Sequence, residues 1–403
     1  MTRPTRRGIG LALSSGLLFL VGTNVQSGWL FVMASLLVGA FVTGLLIPGR
    51  TARRVEVERR APAEAFAGEE VPVDLIVRNK SRGAKLSLTL SDTHIQPADA
   101  FVPQLAAKET LTVGTIRHAA KRGVVDGKPI TVSSAAPFGV ALAKRKVAAP
   151  GRTVVYPRVV PIPWMPDLAS SAKPLDAAQV RSRKGVGQDY LGIREYQLGD
   201  SLRHVHWPST ARLGSLMVRE FEQELPRRLG VVIDTWADTG GGETALDICA
   251  SVAASVAMFA MREGHPMAMA AAKNRSIELL ADPDRTASLT WLAELEAPGG
   301  PPMAATLDEA VPLLGRIDTL VVVFPTWRPN AGLPAELAGL TDTGRQVIAV
   351  MVDAGSFPAG GPGAPPLDEA QADLLAAELA AQRTIVYRVR AEEDLAECLQ
   401  QAV

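Results

Sequence analysis

The sequence predicts a multidomain chain: an N-terminal two-helix transmembrane hairpin, an all-β sandwich, and an α/β doubly wound domain. Three observations carry that expectation. Residues Gly8 to Gly49 form a run of 42 without a charged residue or histidine. Residues 55 to 160 hold short runs of alternating apolar residues, and from Leu229 onward continuous apolar runs alternate with helical patterns. A chain of 403 residues, 47% of them hydrophobic, can bury two ordinary cores and still supply a membrane anchor.

Residues 1–50 read as the anchor. An uncharged run of 42 residues fits two helices of about 20 residues each, with Asn24 to Gly28 as the turn. Trp29 to Ile47 is the more apolar span, whereas Gly10, Ser14, Ser15 and Gly16 dilute the first and suit close helix contact in lipid. Arg3, Arg6 and Arg7 precede the pair and Arg50, Arg53 and Arg54 follow it. By the positive-inside rule both ends are cytoplasmic, which predicts a two-pass protein of the inner (plasma) membrane with its soluble domains in the cytosol. A secretory leader over Gly8 to Val21 is disfavoured, because no small-residue cleavage pattern follows closely and a second span comes next.

The 42 basic and 42 acidic residues cancel. Eight arginines within residues 1–60 face only Glu56 and Glu58, leaving 34 basic against 40 acidic residues in the rest. That balance argues against nucleic-acid binding, which needs a basic footprint. Cys249 and Cys398 stand in helical patterns outside any C-x-x-C or His/Cys cluster, and read as packed thiols.

Residues 51–160 read as the sandwich. Val71, Val73, Leu75 and Val77, then Leu86, Leu88 and Leu90, then Ile130 and Val132 alternate as strands with one buried face do. Turn signals at Asn79 to Gly83, Arg122-Gly123, Asp126-Gly127 and Pro137 to Gly139 fall at sandwich spacing, and predict an immunoglobulin-like or fibronectin-like fold. His94 and His118 are far apart, without neighbouring ligands, and are expected at the surface or an edge.

Residues 161–228 form a linker and a distinctive segment. Gly185 to Trp207 combines Gly185, Gly187, Asp189, Tyr190, Arg194, Tyr196, Gly199, Asp200, Arg203 and Trp207, and Arg219-Glu220-Phe221 follows. In these residues, and in Arg122-Gly123 and Pro137-Phe138-Gly139, the chain resembles the bacterial domain of unknown function 58 family. Buried-type aromatics mixed with both charge signs suit salt bridges and stacked rings. Asp200 and Arg203, three apart, can pair on a helical turn. Arg194, Tyr196, Gly199, Asp200, Arg203 and Trp207 are therefore candidates either for packing between domains or for docking a partner.

Catalytic alternatives lack residues. Gly185 and Gly187 are not followed by the third glycine of a dinucleotide fingerprint, since position 190 is Tyr. His204 and His206 would share one face of a strand, but no third metal ligand is nearby. No phosphate-binding loop, nucleophile-elbow or H-E-x-x-H motif occurs, so no catalytic residue is assigned.

Residues 229–403 read as the doubly wound domain, with strands LGVVID, MAMAAA, LVVVF, QVIAVMV and TIVYRV and helices over Thr244 to Arg262 and around Arg285 to Leu295. Ligands of such sheets bind beyond the strands' carboxyl ends, which singles out Asp234, Thr326 and Asp353. The organisation resembles the von Willebrand factor A fold, whose D-x-S-x-S run after the first strand holds Mg²⁺. Here the run is Asp234-Thr235-Trp236-Ala237-Asp238: Trp236 offers no oxygen ligand and Asp238 replaces a hydroxyl. Phe324-Pro325-Thr326-Trp327 lacks the second Asp expected after the fourth strand, and Thr306 is a candidate loop hydroxyl. Mg²⁺ demands near-ideal octahedral oxygens, so Asp234 and Asp238 are read as a degenerate site and no cofactor is expected. The loop Phe357 to Pro366 is expected to be mobile, and the acidic tail from Leu367 to Val403 to hold two amphipathic helices flanking a last strand.

The family resemblance implies a non-catalytic, membrane-anchored adaptor that works with a MoxR-type AAA ATPase on an unidentified client protein, in assembly or maturation of complexes near the cell envelope. The alternative is an ATPase-independent binding or signalling protein that recognises an envelope component. A hydrolase built on His204 and His206 is the third reading.

Overall fold

The computed structural model describes residues 2–162, 184–197, 202–222, 228–239, 243–357, 365–391 and 393–402. Two compact units result: Met1–Val159 with Gly240–Ala254 and Thr286–Glu296, and Val160–Thr239 with Ser255–Arg285 and Ala297–Val403.

In the first unit the uncharged run folds as α1 (Arg6–Val25) and α2 (Gly28–Thr51), joined through Gln26 in the left-handed region. Thr5 caps α1 by accepting from the Gly8 N–H. Small residues let the helices meet: Ser15 Oγ donates to the Ala34 carbonyl at 3.2 Å, and a Cβ on Gly22 would lie 3.2 Å from Leu30. Their other faces expose Leu13, Leu17, Leu20, Trp29 and Leu36, which suits lipid. Both helices are long and apolar enough to cross a membrane. A third apolar helix, α4 (Ala245–Glu263), has 78% of its most apolar stretch buried and is accounted for by packing within the fold. The second helix runs past the expected Ile47, through Pro48, to Thr51.

The β-rich region holds β1 (Thr2–Pro4), β2 (Val55–Arg60), β3 (Glu64–Phe66), β4 (Glu70–Asn79), β5 (Lys85–Asp92), β6 (Ala98–Leu105), β7 (Thr110–His118), β8 (Gly123–Asp126), β9 (Ile130–Ser134), β10 (Ala141–Val147) and β11 (Arg152–Tyr156). They form sheets ordered β1-β10-β9-β5-β6, β2-β4-β7 and β3-β11-β8. Val71, Val73, Leu75 and Val77 face inward as their alternation predicts, in one cluster with Leu88, Leu90, Val102, Ile130 and Val132. Strand β1, which no pattern foretold, pairs antiparallel with β10 immediately before α1.

Two expectations fail here. Leu86 is 42% exposed although Leu88 and Leu90 are buried, because Ser87 takes a positive φ of 48° and breaks the alternation between them. His94 is not at the surface but buried, its Nε2 3.0 Å from Thr153 Oγ1, whereas His118 is exposed. Beside His94 lies a wholly buried charge cluster. Asp92 accepts from Arg59 Nε at 2.9 Å and from Arg59 Nη2, and it pairs with Arg117 at 2.9 Å. Arg59 also donates to the carbonyls of Ala149 and Lys128, and Arg117 to that of His94. A Cβ on Gly127 would meet Arg59 Nη1 at 2.5 Å and the Gly151 nitrogen at 2.7 Å, so the Asp126-Gly127 turn needs its glycine.

The Arg122-Gly123 turn has a role of its own. Arg122 donates to the carbonyls of Leu292 and Leu295 at 3.0 and 2.8 Å and pairs with Asp247, so its guanidinium is engaged on three sides inside this unit.

In the second unit β12 (Lys184–Glu195) pairs antiparallel with β13 (Met217–Glu222), and α3 (Trp207–Leu213) lies between them in sequence. The apolar runs from Leu229 become β14 (Leu229–Ile233), β15 (Met267–Lys273), β17 (Thr319–Pro325), β18 (Gln346–Val352) and β19 (Ile385–Val389), all parallel, with antiparallel β16 (Ser276–Ala281) at one edge. The order β16-β15-β14-β17-β18-β19 reverses direction at β14. Helix α5 (Arg285–Ala293) falls almost wholly in the first unit; the second continues with α6 (Met303–Leu314) and α7 (Leu333–Asp342), then with α8 (Glu369–Ala381) and α9 (Leu395–Cys398), which flank β19 as expected of the tail. Met303, Leu307, Ala310 and Leu314 of α6, Leu337 of α7 and Leu375 and Leu379 of α8 join one core with Val232, Val322 and Ala349 of the sheet. Residues 358–364 of the Pro/Gly-rich loop lie outside the described residues.

Both cysteines are free thiols. Cys249 is buried, while burial and then the neighbouring Glu393 push the half-buried Cys398 thiol up to about 11, leaving it protonated and unreactive at neutral pH.

Candidate functional site

Two places hold the residues singled out from the sequence, both in the second unit. The first is the signature segment. Gly185, Gly187, Asp189 and Tyr190 lie within β12, which carries register shifts between Gly185, Tyr190 and Gly192. Tyr196 closes the strand pair, its N–H donating to the Leu216 carbonyl at 2.7 Å, and Arg194 Nη1 donates to the Glu195 carbonyl at 2.9 Å. Gly199 and Asp200 lie outside the described residues, and with them the Asp200–Arg203 pair. His204 and His206 do not share a strand face, because Leu202–His204 is a 3-10 turn. His206 precedes α3 and its Nδ1 lies 2.8 Å from Ser209 Oγ.

This segment has a packed underside and an apolar outer face. Val205, Met217 and Val218 are buried, and Val205 bridges Val218. Outward stand Leu202, Trp207, Leu213 and Leu216, with Trp207 68% exposed, and the basic Arg203 and Arg212 are exposed beside them. Trp and Arg with aliphatic neighbours make up the composition of interface hot spots. Leu202, Leu213 and Leu216 were missed as site residues; their signal is an apolar residue recurring where a short amphipathic turn should be polar.

The second place is the carboxyl end of the parallel sheet, where Asp234 follows β14, Thr326 follows β17 and Asp353 follows β18, as expected. Asp234 is fully buried. Its Oδ1 accepts from the Trp236 N–H and its Oδ2 from Asn330 Nδ2, both at 2.8 Å. Asn330 is held in turn, donating to the Pro325 carbonyl at 3.0 Å and accepting from the Met303 N–H at 3.2 Å. An amide N–H₂ thus donates to one carboxylate oxygen and a backbone N–H to the other. The remaining candidates are also engaged: Thr235 Oγ1 donates to the Ala272 carbonyl, Thr306 Oγ1 to the Pro301 carbonyl, and Thr326 Oγ1 accepts from the Ala354 N–H. Asp238 accepts from the Thr239 N–H. Among the described residues no group of three or more His, Cys, Asp or Glu is placed to hold a metal. Sequence reasoning missed Asn330, because it comes from the 3-10 turn Arg328–Gly332, nearly a hundred residues from Asp234, and no local pattern announces it.

Further along the same edge, Asp353 pairs with Arg388 at 2.8 Å and with Arg390 at 3.7 Å. Together with Arg328, Ser356, Asp368 and Glu369, Asp353 and Arg390 line an open cleft. Its acids and bases largely satisfy one another, as Arg390 also pairs with Glu369.

Burial raises the Asp234 pKa to about 6, against the opposing hydrogen bonds of Trp236 and Asn330. The folded protein therefore binds this proton more tightly than the unfolded chain does. The contribution is fully present below about pH 4 and is lost as pH rises through 6, a change of about 3 kcal/mol. Asp234→Asn should abolish that slope. In urea pulse proteolysis between pH 4 and 7, the gap between the two proteins' midpoints for this unit should change sign or size with pH; a constant gap would refute the assignment.

Residues 192–327 match the family described as "Protein of unknown function DUF58". No curated protein matches the chain. Solved structures with local similarity include the CARDB domain of a Pyrococcus furiosus protein, 13% identical over 24% of this chain and 86% of that one, with a TM-score of 0.17. Others are a beta-glucosidase from Listeria innocua, at 18% identity, 25% and 16% coverage and a TM-score of 0.15, and a GH20 exo beta-N-acetylglucosaminidase from Vibrio harveyi, at 10%, 83%, 57% and 0.18. At these scores none bears on this chain's fold or activity.

Proposed function

We propose that this chain, assigned through its residues 192–327 to the domain of unknown function 58 family, is a membrane-anchored, cytoplasmic-facing scaffold that performs no chemistry of its own. In this reading its β-rich region is an immunoglobulin-like sandwich, its parallel sheet a von Willebrand factor A-like domain with a vestigial metal site, and its partner a MoxR-type AAA ATPase that supplies ATP hydrolysis for assembly or maturation of a client complex. The observation that carries it is the exposed Trp207 with Arg203, Arg212, Leu202 and Leu213 on a packed support, a surface composed for a protein partner. The Asn330 amide set against Asp234 supports a domain that recognises rather than coordinates. Antiparallel pairing of β1 with β10 ties the residues before α1 to the region after α2, which supports both ends of the hairpin lying on one side of the bilayer.

Affinity purification of the full chain from membranes, with a non-hydrolysable ATP analogue present, tests the proposal. An AAA ATPase should be enriched, and Trp207→Ala should lower its recovery by a factor of about 30, as loss of a hot-spot residue does. Absence of any AAA ATPase, or recovery indifferent to Trp207→Ala, would overturn the reading.

A further inference from the structure

The loop joining β9 to β10, Ala135 to Val140, is lodged against the base of the helical hairpin. A Cβ on Gly8 of α1 would lie 2.2 Å from the Val140 carbonyl oxygen, and a Cβ on Gly44 of α2 would lie 2.7 Å from Val140 Cβ. The Thr5 N–H donates to the Val140 carbonyl at 2.9 Å, while Thr5 Oγ1 donates to the Gly139 carbonyl. Ala136 and Val140 are buried, and the Gly139 N–H closes the turn on the Ala135 carbonyl at 2.8 Å. Between these anchored residues the Phe138 ring is 57% exposed.

The depth of this loop follows from helix length. Val140 meets α2 at Gly44, seven residues before its end at Thr51, so the loop sits about 10 Å along the helix from that end, toward the far turn. From Gly28 to Gly44 the helix measures only about 24 Å, less than the roughly 30 Å of a hydrocarbon core. With the turn at Gln26 in the opposite headgroup layer, the level of Gly44 and Val140 falls at the inner boundary of the apolar region. Arg6 and Arg7 are exposed at the adjoining start of α1, and Arg50, Arg53 and Arg54 are exposed six to ten residues beyond Gly44, so cations lie at the loop and on its headgroup side.

We propose that this loop is a bilayer-contacting element, with Phe138 inserted among the acyl chains just below the headgroups and the surrounding arginines set against anionic phosphates. The β-rich region is then held against the leaflet at a fixed height, since its own loop enters the lipid beside the helices. The occupant of the exposed ring is lipid, because the residues on either side of it pack on Gly8 and Gly44 of the hairpin, at the level where α2 is still apolar. This rests on the membrane-spanning reading of α1 and α2, and the test separates the two.

The experiment uses the full chain carrying Cys249→Ala and Cys398→Ser, reconstituted in phosphatidylcholine vesicles containing phosphatidylglycerol. Nitroxide labels are placed singly through Phe138→Cys, Leu36→Cys in mid-α2, and Lys128→Cys at the other end of β9. Collision rates with oxygen, which favours lipid, and with a water-soluble nickel chelate are then compared. The expected result is an oxygen-to-nickel ratio at 138 severalfold above that at 128 and approaching that at 36. A ratio at 138 equal to that at 128, with 36 in lipid, overturns the loop's insertion alone. A water-like ratio at 36 overturns the spanning hairpin and the loop with it. Should the cysteine replacements impair folding, acyl-chain diazirine lipids crosslinked to the unmodified chain give the same decision: adducts on α2 and Phe138 are expected, and adducts on α2 without any at 136–140 refute the proposal.

Discussion

Asp92→Ala should destabilise the β-rich region by about 3 to 5 kcal/mol, the usual consequence of removing one partner from a buried ion cluster. Asp92 is the one carboxylate that Arg59 and Arg117 share, and the side chains of all three are fully buried. Without it two guanidinium charges remain in a low-dielectric core, held by the neutral carbonyls of Ala149, Lys128 and His94 and the Thr115 hydroxyl. Burial alone would raise the Asp92 pKa, but the Arg59 hydrogen bond and the charges of Arg117 and Arg59 outweigh it and the net shift is downward. A depressed carboxyl pKa contributes stability that is present above the unfolded value and lost as pH falls through the folded one. The stability that Asp92 contributes should therefore be lost in acid, as pH falls below the ordinary carboxylate range. Hydrogen exchange across β4 and β5 of the full chain is the measurement. Protection should fall by a factor of about 100 or more in Asp92→Ala, given 1.4 kcal/mol per tenfold. Replacing all three residues with well-packed apolar ones should restore much of it, which separates a missing charge from a missing shape.

How far such a cluster could be read from the sequence depends on phase. Arg59 continues the inward phase of Val55 and Val57, and Arg117 that of Leu111 and Val113, so the alternation that locates the strands also marks both arginines as inward-pointing. What the pattern omits is the partner: Asp92 lies 33 residues from Arg59, and pairing across strands is fixed by tertiary register. The same limit applies at the sheet edge. Asp234 was legible as the residue beyond the first parallel strand, but its fate was decided by Asn330 from a distant turn. The apolar hairpin and the parallel strands were legible because period and length alone specify them. Strand β16, by contrast, is an edge strand with a half-exposed pattern, and its Ser276 to Ala281 run lacks the continuous apolar character of its neighbours. Leu86 shows the reverse failure, an apolar residue in correct phase turned outward by the positive φ of Ser87.

Leu37→Arg should release much of the protein from membranes. Leu37 lies nine residues into α2, well inside the apolar stretch, and neither helix offers an acidic side chain to meet a cation. On the insertion scale a central Arg is unfavourable by about 2.5 to 3.5 kcal/mol, whereas Leu is favourable by up to about 0.6. The difference, about 3 to 4 kcal/mol, is a factor of several hundred in partitioning. Snorkelling relieves it little at this depth, because the side chain is far from both interfaces. Leu37→Ala removes similar bulk without charge and should leave sedimentation after an alkaline wash unchanged, so a loss confined to the Arg variant identifies insertion rather than helix packing as its cause. An Arg at Trp29, beside the turn, should be far milder because it can reach the headgroups. If Leu37→Arg sediments like the parent chain, α2 does not cross lipid, and the exposed leucines along it require another partner.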